Sequence, residues 1–169
     1  MDSSWYPSLK TASRKNPVNA DSRFLVSQTR LMLSSYRHWT KQSLWPEDRP
    51  DEVLVKEVFN APFVLCSAGT EDDPILNYGN QKALDLWQMD WETLTRAPGR
   101  HTAEPMERAE RDQFLKTVKE HGYIDNYSGI RISSTGRRFK ISRATVWNLR
   151  DARGKYAGQA ATFHDWEFL

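Results

Sequence analysis

Apolar positions fall at helical spacing from Leu25 onward: Leu25, Thr29, Met32, Tyr36 and Trp39 form one stripe, and Leu31 and Leu33 widen it. Asp21 or Ser22 supplies an N-cap, and the helix is expected to stop near Leu44, ahead of Pro46. A shorter helix starts near Asp51 with Leu54, Val55, Val58 and Phe59 inward. Asn60-Ala61-Pro62 ends it, because the residue before a proline is pushed out of the helical region. "PFVLCSAG" is a β-rich run and "TEDDP" a turn-forming cluster. Ile75, Leu76 and Tyr78 then read as a second strand. The period changes at Gly79-Asn80, after which Ala83, Leu84 and Trp87 mark a helix to about Met89. Asp90 caps one more turn holding Trp91 and Leu94, closed by Pro98-Gly99. Pro105 opens a longer helix carrying Met106, Ala109, Phe114 and Val118, which stops at Gly122. Glu104 with Arg108, and Glu107 with Arg111, are expected as i,i+4 pairs on its wet face.

Beyond Gly122 the period is two, predicting three strands over about 123–133, 138–149 and 156–168. The turns "SSTG" and "DARG" join them into an antiparallel meander, each with a glycine for a positive φ. Phe139, Ile141, Thr145, Trp147 and Leu149 are expected on one face of the middle strand. The first two strands must pair through their tight turn, and the intervening helices must cross over one face of the combined sheet. The expectation is an α+β fold: a five-stranded antiparallel sheet with crossover helices on one face and an N-terminal helical arm. A polar, poorly ordered segment would occupy 1–20, the arm 21–61 and the sheet domain 62–169. Such a plan leaves a cavity between sheet and helices, as PAS folds do.

Composition narrows the function classes. A chain of 169 residues with seven Trp buries a substantial core. A formal net charge of +2 gives no support to a nucleic-acid partner. No apolar run approaches the roughly 18 residues of a membrane span. The N-terminus lacks the apolar core of a secretory signal, and Asp2 and the prolines argue against an organelle-targeting peptide. Cys66 is the only cysteine, which fits a reducing, cytoplasmic setting.

Little catalytic chemistry is legible. There is no phosphate loop and no nucleophile elbow. His38, His101, His121 and His164 lack metal-ligand spacing. Asp125, Glu104 or His101 could act as an acid/base group of a small cavity enzyme, but nothing pairs them at a diagnostic spacing. Arg137, Arg138, Lys140 and Arg143 cluster on one hairpin and are read as a solvated sheet face, with an anionic partner or RNA as the alternative. Among the aromatics, Tyr78, Trp87, Tyr127 and Trp147 are the candidates for lining a cavity, Tyr127 and Trp147 because they are expected on central strands.

Three stretches resemble a known family. "LCSAGTEDDPILNYGNQKALDLWQMD", "YSGIRISSTGRRFKI" and the closing "ATFHDWEFL", with its Phe163-x-x-Trp166-x-Phe168 spacing, are similar to the MEKHLA domain, a PAS-like domain, in its free-standing microbial form. The six-letter run that names the family does not occur here. In plant transcription factors the domain follows a homeodomain, a leucine zipper and a lipid-binding domain; none is found in this sequence, so DNA binding is not carried over. PAS domains place an asparagine where the second strand enters the first crossover helix, and Asn80 stands there. Its expected role is to cap that helix, with ligand contact as the alternative. The setting of a flavin photosensor, a cysteine on a crossover helix, is absent. The resemblance implies a non-catalytic sensory or interaction module. It would bind a small molecule in the cavity, or a partner through the arm, with an effector protein in trans; residues 22–44 are expected either to form a homodimer or to cover the exposed face of the sheet.

Overall fold

The computed structural model describes residues 21–169, so the expectation for 1–20 lies outside the described residues. Helix α1 spans Ser22–Thr40, with the Asp21 carboxylate accepting from the Arg23 amide at 2.9 Å. It ends before Leu44 because Lys41 turns left-handed, at φ 60°, and its amide closes on the Arg37 carbonyl. Leu44 and Trp45 still pack on the core from the loop that follows. Helix α2 covers Asp51–Phe59, α3 Gln81–Trp87, α4 Trp91–Leu94 and α5 Pro105–His121; a 3-10 turn at Gly99–Thr102 precedes α5.

The strands are β1 Val64–Ala68, β2 Leu76–Gly79, β3 Tyr123–Ile132, β4 Arg138–Arg150, β5 Tyr156–Phe163 and β6 Asp165–Phe168. They form one antiparallel sheet in the order β2-β1-β5-β4-β3, with β6 also paired to β4. The sheet therefore has six strands where five were expected. The predicted last strand bends at His164, so β4 pairs with β6 over 139–142 and with β5 over 145–150. Strand β3 lies at an edge, so Tyr127 is not on a central strand.

The change of partner along β4 has a backbone cause. Arg143 adopts φ 52° as a bulge, where Gly129 pairs with Ile141 but Tyr127 with Ala144. The extra residue reverses which face the following side chains occupy. Phe139 and Ile141 face the crossover helices: Phe139 meets the Trp87 ring edge-on at 5.5 Å. Trp147 instead faces α1, donating from its indole to the Met32 carbonyl at 3.2 Å and meeting Tyr36 edge-on at 5.0 Å. The expected single face for Phe139, Ile141 and Trp147 is thus divided. A second bulge, at Asn126 with φ 57°, keeps β3 in step.

Helices α3–α5 cover one face of the sheet and α1 the other. Met32 and Leu33 of α1 are buried, and Ser35 bridges to the Arg150 backbone, accepting from its amide at 3.0 Å. The Trp39 indole donates to the Asn148 carbonyl at 2.9 Å. Much of the stripe that made α1 look wider than a surface helix needs is spent on this contact.

At the C-terminus, Trp166 packs against Phe163 and pairs with Ile141, whereas Phe168 is 46% exposed, its ring covered by the Arg137 guanidinium at 3.4 Å. Deleting 166–169 removes most of the β6 ladder, and the melting temperature should fall by roughly 5–10 °C. Trp166→Ala should account for more of that loss than Phe168→Ala; an unchanged midpoint for Trp166→Ala in a thermal melt would show that β6 contributes nothing.

Candidate functional site

Between the sheet and α5 lies a cavity of about 80 Å³. Its floor is the sheet face carrying Cys66, Tyr127, Arg131, Ile141, Val146, Ala161 and Phe163. Trp87 from α3, Leu94 from α4, Thr102 from the 3-10 turn and Arg111, Phe114 and Leu115 from α5 close it. Phe114 and Tyr127 stack at 3.8 Å and 16° between planes, fixing α5 on the edge strand. A larger, more open groove of about 320 Å³ lies at the far end of the sheet, between Trp39, Lys119, Arg150 and Tyr156.

Two guanidinium groups reach the cavity. Arg131 is 8% exposed, donating to the Tyr127 hydroxyl at 3.1 Å and the Ile130 carbonyl at 2.8 Å. Arg111, its side chain 14% exposed, approaches the Asp112 carboxylate at 3.4 Å. Burial, and then the charge of Arg131, lower its pKa to about 10. Burial pushes the Cys66 thiol up to about 11, against the pull of both arginines, so it stays protonated at neutral pH.

Of the residues predicted from sequence, Trp87 and Tyr127 line this cavity. Trp147 and Tyr78 lie on the other face of the sheet: Tyr78 pairs with Ser67, opposite Ala160 and beside Gln28 of α1. Asn80 is fully buried, and its amide is fully occupied by backbone. The side-chain oxygen accepts from the Ala83 and Leu65 amides, both at 3.1 Å, and the nitrogen donates to the Phe63 carbonyl at 2.8 Å.

The acid/base candidates do not converge. Asp125 is exposed. Glu104 is buried and lies 2.6 Å from Arg138 Nε as an ion pair, without the alignment of a hydrogen bond. The His101 ring sits 3.1 Å from the Arg100 guanidinium, and burial with Arg100 and Arg108 lowers its pKa. None of the three lines the cavity. Neither expected i,i+4 pair on α5 forms: Arg108 donates to the Arg100 and Ala103 carbonyls, and Arg111 turns inward. Among the described residues no group of three or more His, Cys, Asp or Glu is placed to hold a metal, and no helix is long and apolar enough to cross a membrane.

Sequence reasoning missed Arg111 and Arg131, although both left a signal. Arg111, Phe114, Leu115 and Val118 share the 3-4-7 spacing of an inward stripe, and Arg131 alternates in phase with Tyr127 and Gly129.

The MEKHLA-domain family model matches residues 26–168, from inside α1 to the end of β6. The chain belongs to the MEKHLA-domain family. It is 26% identical over 166 residues to the homeobox-leucine zipper protein ATHB-9 of Arabidopsis thaliana, which covers 95% of this chain and 19% of that protein. ATHB-14 of the same plant is 26% identical over 158 residues, 90% of this chain and 18% of the relative. The chain thus spans about a fifth of the length of these curated relatives. Solved structures show the fold to be PAS-like. A PAS domain from Colwellia psychrerythraea superposes with a TM-score of 0.58 at 10% identity, covering 70% of this chain and 95% of that one. A Light-Oxygen-Voltage domain studied with a flavin analogue superposes with a TM-score of 0.55 at 16% identity, covering 69% and 84%.

Proposed function

We propose that this MEKHLA domain is a non-catalytic sensory module that holds a small molecule between sheet and crossover helices and relays its presence through α1. The observation that supports this most is the double duty of β4. Ile141 and Val146 wall the cavity, and Trp147 and Arg150 of the same strand grip α1 on the opposite face. A ligand that shifts β4 changes the seat of α1 directly, with no intervening element. PAS-like folds suit this role, and an effector in trans would read α1. A cytoplasmic setting fits the lone cysteine.

Self-association through residues 22–44 is the second part of the proposal. Because Met32 and Leu33 are buried, the aliphatic and Phe side chains of α1 left for a partner are the partly exposed Phe24, Val26 and Leu31.

Native mass spectrometry of the protein purified from its own host tests both parts. A small molecule released on activation of the folded ion is the expected result, and Leu31→Glu should convert any dimer to a folded monomer. Protein that carries no ligand, and whose α1 amides exchange unchanged with every cavity-binding compound tried, would defeat the sensory reading.

A further inference from the structure

We infer that the ligand of this cavity is a small organic anion, a short-chain carboxylate held between Arg111 and Arg131 with its hydrocarbon end among Trp87, Phe114, Ile141 and Phe163. This rests on the sensory reading above and specifies the chemistry of its site.

The cavity wall is rich in donors and poor in acceptors. Two guanidinium groups enter it from opposite layers, Arg111 from α5 and Arg131 from β3, and among the described residues no carboxylate side chain lines it. Among the described residues Arg131 donates to neutral acceptors, the Tyr127 hydroxyl and the Ile130 carbonyl. The acid beside Arg111 is Asp112, which is 65% exposed and solvated. Two like charges in an apolar enclosure repel with little screening, and a buried charge without a counter-ion is costly. Among the described residues Arg111 has only the solvated Asp112 carboxylate beside it to offset that cost, and an anion between the two groups would offset it further. The depressed pKa of Arg111, caused by burial and then by Arg131, reflects the same unbalanced charge.

A second observation is independent of the arginines. Trp87 lines the cavity at 5% exposure, and among the described residues its buried indole N–H has no hydrogen-bond partner. A buried donor left unsatisfied is uncommon, and it adds to the excess of donors over acceptors around the cavity. The backbone also makes way for the cationic heads. A Cβ on Gly99 would lie 2.8 Å from Arg111 Nη2, and one on Gly129 would lie 3.0 Å from Arg131 Nη1.

Size sets the rest of the ligand. At about 15 Å³ for each water-sized group, a cavity of about 80 Å³ takes roughly five heavy atoms. That suits a carboxylate of about two to four carbons, and pockets for drug-sized ligands are several times larger. Two arginines rather than one lysine suit the planar, two-oxygen geometry of a carboxylate.

The test is calorimetric titration and thermal shift of the whole chain at pH 7 with acetate, propanoate and butanoate, each compared with its neutral amide, at up to about 10 mM. The acids should bind and raise the melting midpoint, and the amides should bind about ten- to a hundredfold more weakly. Arg131→Gln and Arg111→Gln should each lose about the same factor toward the acids and little toward the amides. Each variant relieves a like-charge contact, so both should fold; if one does not, the acid-to-amide ratio of the wild type decides alone. Equal binding of acid and amide would overturn the anion and leave the sensory reading standing, as would a neutral molecule retained in native mass spectrometry. Absence of binding by every acid would overturn the carboxylate.

Discussion

Replacing Trp147 with alanine should lower the free energy of unfolding by roughly 3–5 kcal/mol. Its side chain is fully buried and is among the largest in the core. The site cannot collapse easily, because it is bounded by two different layers. Ala160 stands opposite on β5, and Tyr36 and the Met32 carbonyl close it from α1. Alanine would leave a cavity and remove the indole donor from the Met32 carbonyl, which keeps its place in the helical ladder of α1, so most of the loss is lost packing. Trp147→Phe should lose less, since it keeps most of the apolar volume and gives up the indole donor. The consequence extends to the relay: with Trp147 removed, α1 should exchange its amide protons faster than the sheet does. A urea melt giving a loss below about 1 kcal/mol would mean that α1 is held by its other contacts and that β4 does not couple the two faces.

The order of elements was legible because each is encoded locally. The stripe of α1, the caps Asp21 and Asp90, the proline that opens α5 and the glycine that closes it all stand within a few residues of the feature they set. What sequence could not show was set by distant partners. The left-handed conformation of Arg143 carries no local signature, since arginine has no preference for it. It stands where β4 changes partner from β6 to β5, a tertiary event with no counterpart in the local sequence. Asn126 is a residue that tolerates that conformation, so the bulge in β3 left a faint trace. The candidate site was half legible for a related reason. Trp87 and Tyr127 are large and aromatic, and such residues are sought in interiors. Arg111 and Arg131 sit at inward positions of equally clear periodicity, but a charged residue is ordinarily assigned to solvent. Charge overrode period in the reading; in the fold, period prevailed.

Asn80→Ala should destabilise the protein by roughly 3 kcal/mol or more, through hydrogen bonding rather than volume. The residue is fully buried and its side chain serves three segments at once. Its oxygen caps α3 at the Ala83 amide and also accepts from the Leu65 amide at the start of β1, while its nitrogen holds the Phe63 carbonyl ahead of that strand. Alanine would strand two buried donors and one buried acceptor where water has no access. Serine separates the local role from the long-range one. Its hydroxyl is a good N-cap and can reach the Ala83 amide, but it is too short to span to Phe63 and Leu65 as well. Asn80→Ser should therefore recover only about 1 kcal/mol of the alanine loss. If the serine variant matches the wild type in a denaturant melt, capping is the whole role of Asn80, and β1 is held to α3 by the backbone bond from the Asn80 amide to the Leu65 carbonyl at 2.9 Å and by packing.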